Sequence, residues 1–192
     1  MAIAQRLSDM RKLSQIRATI EILSRYLTLV TGYILFAAGL LVCFDVIVRR
    51  LFNYSLAGAD ELSGYALAAA TAGGLSYALF TQSHIRIDAI YRLLPLKTKA
   101  VLDVLAGLSF VLVAGLLAYM GTAEVIESAT YHTVASTPWR TPLWIPQAVW
   151  ALGLILFALA AIVTTLEAIL KLMSGDAAGA HALTGISEGS IE

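Results

Sequence analysis

Residues 26–44 read YLTLVTGYILFAAGLLVCF, a run of 19 residues without a single Asp, Glu, Lys or Arg. As an α-helix this run is about 28 Å long, close to the thickness of about 30 Å of a bilayer's hydrocarbon core. A spanning segment must satisfy its backbone groups internally, which favours a helix. This stretch therefore predicts a transmembrane helix.

The rest of the chain repeats the pattern. Of the 192 residues, 59% are hydrophobic and 14% are charged, and the mean hydropathy is +0.80. Further charge-free runs cover residues 62–83, 104–123 and 141–166. The sequence therefore predicts an all-α integral membrane protein with four transmembrane helices, at about 26–48, 62–83, 100–123 and 143–168, within a membrane domain of residues 26–170.

Lysine and arginine are distributed unequally between the two sides of the membrane. Ten fall before the first span, between the second and third, or after the fourth, and three fall in the other two loops, namely Arg49, Arg50 and Arg140. The positive-inside rule then predicts that both termini are cytoplasmic. The net charge of zero gives no reason to expect a nucleic-acid partner.

The two ends of the chain differ from the membrane domain. In residues 1–25, apolar side chains recur at steps of three and four, which predicts an amphipathic helix. It could lie along the lipid surface, dock on a partner protein or form a short coiled coil. Residues 171–192 are rich in small and polar side chains, which predicts a disordered tail.

The spans contain no ionisable group near their centres. Asp45 lies near one end of the first span and can pair with Arg49 four residues later. A proton-coupled exporter needs a central charge, and a haem-binding anchor needs histidines on facing helices. His84, His132 and His181 lie outside such positions, and no catalytic, cofactor or metal constellation appears. An autonomous small exporter and the membrane anchor of a redox complex stay open as alternatives.

Two charged pairs stand between the first two spans. Arg49 and Arg50 end the first helix, while Asp60 and Glu61 begin the second, where the helix dipole favours anions by about 0.3–1 kcal/mol each. We expect these residues to shape the connection. Contact with another subunit, lipid phosphate or a soluble partner is the alternative role.

The second span is dense in small residues, which allow close helix packing in lipid. The predicted packing positions are Gly64, Ala68, Ala72, Gly73 and Gly74. The two adjacent glycines could instead mark a broken, ion-coordinating helix.

Four motifs, in this order and spacing, resemble the small permease subunit of TRAP (tripartite ATP-independent periplasmic) transporters. They are RRLFN at 49–53, ADELSGYAL at 59–67, HIRIDAIYRLLP at 84–95 and PLWIP at 142–146. The resemblance covers about residues 25–170. Many relatives carry a Trp shortly before the glutamate of the second motif, where this chain has Gly58 and Ala59.

The resemblance implies a non-enzymatic subunit of the bacterial inner membrane. Its partners would be a large permease subunit, a periplasmic substrate-binding protein and membrane lipids, in sodium-coupled symport of an organic acid. In such a system this chain would brace the large subunit and help to dock the binding protein. The candidate contact residues are Arg49, Arg50, Asn53, Asp60, Glu61, His84, Arg86, Asp88 and Arg140.

Overall fold

The computed structural model describes residues 2–82 and 94–184, and side chains from residue 10 onward. These residues form five helices, α1 (Ala2–Phe52), α2 (Ala59–Phe80), α3 (Leu96–Thr130), α4 (Trp144–Met173) and α5 (Ala177–Thr184). Within the described ranges the only strand-like pairing is an isolated bridge between Val134 and Pro142. The predicted all-α class is confirmed.

Three of the described helices are long and apolar enough to cross a membrane: Met10–Phe52 in α1, Leu96–Thr130 and Trp144–Met173. The 22-residue helix α2 is not among them. Its many alanines, glycines and serines make it less apolar than the leucine-rich helices, although it holds no charge after Glu61. The crossing of α2, and with it the count of four spans, stays a prediction.

Helix α4 is the centre of the bundle and contacts each of the other four helices. Helix α1 packs against α2 and α4, whereas α3 packs against α4 and α5. Large apolar side chains along α1 and α3 are therefore left on the surface, among them Phe36, Leu40, Leu112 and Leu116. The fold is an open layer of helices with two uncovered edges.

Small residues bring the helices together. A Cβ added to Gly153 of α4 would lie 2.8 Å from the Cβ of Ala72 in α2. A Cβ on Gly107 of α3 would lie 2.7 Å from Oγ1 of Thr165 in α4. At both crossings the absence of a side chain sets the approach distance, as expected of helix packing in lipid.

Helix α1 is continuous for 51 residues, about 77 Å. The sequence suggested a separate helix over residues 1–25, but the structure has no break near residue 25. No proline interrupts this helix. A sharp kink usually requires a proline or some other local disruption of the helix. Ser24, Thr31, Ala38 and Asp45 are all buried, so every seventh residue faces the bundle.

The C-terminal segment differs from its prediction of disorder. Residues 177–184 form α5, in which Ala180 and Thr184 are buried. Nδ1 of His181 lies 2.7 Å from Oδ2 of the buried Asp103 in α3, and Nε2 of Gln82 donates to the Ala182 carbonyl at 3.0 Å. The segment was predicted to be disordered because it has few bulky apolar side chains. Its small side chains nevertheless let this helix fit closely against α3 and α4. Residues 185–192 lie outside the described part.

Candidate functional site

The candidate site lies at the end of the bundle that holds the α1–α2 and α3–α4 connections, residues 53–58 and 131–143. We call it the loop face. It contains six of the nine predicted contact residues. The other three, His84, Arg86 and Asp88, lie outside the described residues.

Asp45 organises the first connection. Its side chain is 2% exposed, and Nη2 of Arg49 donates to its Oδ2. Its Oδ1 accepts from the Leu56 backbone amide at 2.5 Å and from Oγ of Ser55 at 3.3 Å. The predicted pairing of Asp45 with Arg49 is confirmed, and the same carboxylate also ties the end of α1 to the chain that leads into α2.

The second connection folds back on itself as a hairpin. The Ala135 amide donates to the Thr141 carbonyl at 2.9 Å, and the Leu143 amide donates to the Thr133 carbonyl at 3.0 Å. At the tip, Arg140 has φ of 49°, and its amide donates to the Thr137 carbonyl at 3.1 Å. This hairpin places residues 137–140 in a tight turn.

Glu61 fastens the hairpin tip to α2. The residue is 8% exposed, and its carboxylate accepts hydrogen bonds from the hydroxyls of Thr137 and Tyr65, the latter at 2.7 Å. Glu61 comes just before the predicted span 62–83, so its carboxylate lies outside the membrane-spanning segment. The hydroxyls of Thr137, Thr141 and Tyr65, in that order of importance, lower the pKa of Glu61 because they stabilise its charged form.

Trp139 makes the second contact between the two connections. Its indole lies over Gly58, whose φ is +98°. A Cβ added to Gly58 would come within 2.5 Å of Cε2 of Trp139. Glycine thus provides both the backbone conformation and the space for the ring. Together, Asp45, Glu61 and Trp139 make the loop face one connected unit.

The predicted contact residues fall into two groups on this face. Arg49, Arg50, Asn53, Asp60 and Arg140 are exposed, and the Arg49 side chain is 53% exposed while it pairs with Asp45. Glu61 is buried and bonded internally. The exposed members can meet a partner, whereas Glu61 holds the surface in shape.

The predicted packing residues also differ in environment. Ala72 and Gly73 are buried, Ala68 and Gly74 are half-buried, and Gly64 is exposed. Oγ1 of Thr28 in α1 donates to the Gly73 carbonyl at 3.1 Å. Helix α2 continues through Gly73 and Gly74, so the structure has no broken helix there.

The opposite end of the bundle carries its own buried acids. Glu167 of α4 lies 3.3 Å from Nζ of Lys171 and 4.0 Å from Nε of Arg17 in α1. The Arg17 guanidinium also sits 5.8 Å from the centre of the Phe80 ring. Among the described residues, no group of three or more His, Cys, Asp or Glu could hold a metal ion.

Sequence reasoning missed the hairpin and both of its contacts. The residues that make these contacts, Thr137, Trp139 and Thr141, stand 76–81 positions after the residues they meet, and no local spacing links them. One signal was present. That signal is the glycine at position 58, because glycine adopts left-handed backbone conformations without strain and so often marks a turn. In the structure, Gly58 has such a conformation.

The fold and the loop face define a helical membrane protein with at least three candidate spans and a loop surface held by buried carboxylates. A family model described as "Tripartite ATP-independent periplasmic transporters, DctQ component" matches residues 38–171, well over half of the chain. The chain belongs to the DctQ family, the small permease component of TRAP transporters. No curated protein and no solved structure matched the chain.

Proposed function

We propose that this chain is the stationary small membrane subunit of a TRAP transporter that takes up an organic acid in symport with sodium. It braces the large permease subunit and supplies part of the surface on which the periplasmic substrate-binding protein docks. Family membership supports the transporter role over a separate exporter or a redox anchor. The observation that carries the docking role is the loop face, whose two connections are tied together by the buried carboxylate of Glu61 and by the contact between Trp139 and Gly58.

The bracing role is supported by the open arrangement of the helices. An apolar groove between α1, α2 and α4 has a volume of about 520 Å³, and four of its ten lining residues are alanines: Ala37, Ala38, Ala66 and Ala69. Small residues let a further helix approach closely. We assign this groove to a helix of the large permease subunit.

The docking role is supported by the charges on the loop face. Arg50 and Arg140 are exposed and form no ion pair among the described residues, whereas Arg49 is engaged by Asp45. Arginine recognises carboxylates through paired donors, so Arg50 and Arg140 suit an acidic surface on the binding protein. Arg50 lies in the last turn of α1, which Asp45 ties to the α1–α2 connection, and Arg140 lies at the hairpin tip that Glu61 fastens to α2.

The orientation is part of the proposal. With both termini in the cytoplasm, as the lysine and arginine distribution predicts, the loop face points into the periplasm. The basic side chains Arg11, Lys12 and Lys171 then lie at the cytoplasmic end, where positive charge is favoured. The membrane is the bacterial inner membrane, as membership of the TRAP transporter family implies. Lipids cover the remaining apolar faces of α1 and α3.

The arginines provide a test that separates docking from structure. In the assembled transporter, the double change Arg50→Gln and Arg140→Gln is expected to leave co-purification with the large subunit intact and to reduce substrate uptake. Arg49→Gln is expected to lower stability instead, because it leaves the buried carboxylate of Asp45 without its cation. Arg11→Gln, at the opposite end of α1, is the matched charge control.

The outcomes are distinct. Normal uptake by the double variant, at a binding-protein concentration that limits the wild type, would contradict docking through these arginines. Loss of co-purification would show that they serve assembly. Transport by the purified chain alone in vesicles would contradict the subunit role itself.

A further inference from the structure

A small cavity lies between four helices at the end opposite the loop face. Its volume is about 20 Å³. The lining comes from α3, α4, α5 and the C-terminal end of α2, and includes Gly107, Phe110, Thr164, Thr184, Leu79 and Gln82. The cavity is therefore placed where the C-terminal helix α5 meets the bundle.

Thr164 lines this cavity with an unsatisfied hydroxyl. The residue is 4% exposed, and its buried Oγ1 has no hydrogen-bond partner among the described residues. By contrast, Thr71 donates to the Leu67 carbonyl at 2.9 Å and Thr122 donates to the Ala118 carbonyl at 2.7 Å, each within its own helix. A buried hydroxyl without a partner is unfavourable, so a partner for Thr164 inside the cavity would stabilise the fold.

The remaining lining supplies complementary groups. Oγ1 of Thr184 donates to the Ala180 carbonyl at 3.2 Å and keeps its lone pairs free to accept. The Gln82 side chain uses its Nε2 on the Ala182 carbonyl, which leaves its amide oxygen as an acceptor. None of the lining residues is charged, which does not suit a metal ion that needs carboxylate ligands.

We propose that this cavity binds one ordered water molecule that accepts a hydrogen bond from Thr164 and donates to groups on Thr184 and Gln82. A water site needs about 10–15 Å³ and two to four polar partners, and this cavity meets both conditions. The water joins α4 to α5 and to the end of α2. It adds to the His181–Asp103 contact in holding the C-terminal helix against the bundle.

The test compares two substitutions of Thr164 in the purified full chain. Thr164→Val keeps the shape and removes the hydroxyl, while Thr164→Ser keeps the hydroxyl and removes the methyl group. If water completes the site, the valine variant unfolds about 2–4 °C lower, as expected for one lost buried hydrogen bond in a chain of this size. The serine variant is expected to keep most of the wild-type Tm.

Other changes in the Tm would overturn the proposal. In a dry cavity, valine removes an unsatisfied group, so its Tm would equal or exceed that of the wild type. An equal fall in both variants would assign the effect to methyl packing and also overturn it. Thr71→Val, at an exposed site in α2, controls for general effects of the substitution.

A direct observation is the second readout. A map that resolves ordered water should show density at about 2.7–3.0 Å from Oγ1 of Thr164. That density should disappear in Thr164→Val. A wild-type map that resolves water elsewhere in the bundle, but shows none in this cavity, would overturn the proposal without affecting the proposed transporter role.

Discussion

The hydroxyl of Thr137 donates a hydrogen bond to the buried carboxylate of Glu61, joining two residues that lie 76 positions apart. The bond connects the hairpin between α3 and α4 to the first turn of α2. Tyr65 donates to the other oxygen of the same carboxylate. Glu61 is therefore a structural carboxylate, and the surface proposed for docking depends on it.

Glu61→Gln is expected to loosen the hairpin. The amide nitrogen that replaces one carboxylate oxygen cannot accept a hydrogen bond, so one hydroxyl must turn to accept from the amide instead, and both charge-assisted bonds become weaker neutral ones. We expect the Tm to fall by a few degrees and protease cleavage within residues 131–143 to accelerate. Asp60→Asn is the matched control, because Asp60 is the adjacent acid in the same turn and is exposed. Equal effects of both variants would contradict a specific role for Glu61.

The same carboxylate predicts a pH dependence. Its hydroxyl donors hold the pKa of folded Glu61 below its usual value of 4.5. A lowered pKa contributes stability that is complete above pH 4.5 and is lost as the pH falls through the folded pKa. The Tm difference between the wild type and Glu61→Gln should therefore be constant near neutral pH and shrink below pH 4.5. A difference that stays constant on acidification would contradict this assignment.

Gly58→Ala is expected to disrupt the contact between the two connections. The backbone at φ of +98° is strained for alanine by about 1–3 kcal/mol, and the new Cβ would also collide with the Trp139 indole. Gly175→Ala is the control, because Gly175 has φ of +85° and no atom within 4 Å of its added Cβ. The free energy of unfolding should fall more at Gly58 than at Gly175. Adding Trp139→Ala to Gly58→Ala should remove the extra loss of unfolding free energy. If the double variant keeps that extra loss, the ring contact is contradicted.

Gly153→Ala is expected to separate α2 from α4. Its Cβ would lie 2.8 Å from the Cβ of Ala72 and 2.9 Å from the Ala72 carbonyl carbon, and the backbone atom cannot move without shifting α2. Gly115→Ala in α3 provides the contrast, since nothing lies within 4 Å of its added Cβ. There, alanine should stabilise the helix by about 0.5–1 kcal/mol. In thermal unfolding in detergent, the Tm should fall for Gly153→Ala and rise for Gly115→Ala. An unchanged Tm for Gly153→Ala would contradict the close approach of the two helices.

Several structural features could be predicted from local sequence. The pairing of Asp45 with Arg49 follows from their four-residue spacing on one helix, and the family follows from motifs in a fixed order. The boundary at residue 25 could not be predicted reliably, because amphipathic and spanning patterns can share one uninterrupted helix. The disorder predicted for residues 171–192 failed over residues 177–184 because small side chains that form no core by themselves can still fit against a preformed bundle.

By itself, the sequence determined that this chain is a helical membrane protein of the TRAP small-permease type, since charge-free runs, charge distribution and motif spacing are local properties of the chain. Only the tertiary structure decided which charges are available to a partner. Glu61 and Arg140 both looked like contact residues, but the fold buries the first beneath a hairpin and leaves the second exposed at its tip. The physical reason is that burial depends on the partners a side chain meets across the fold, and those partners stand far away in the sequence.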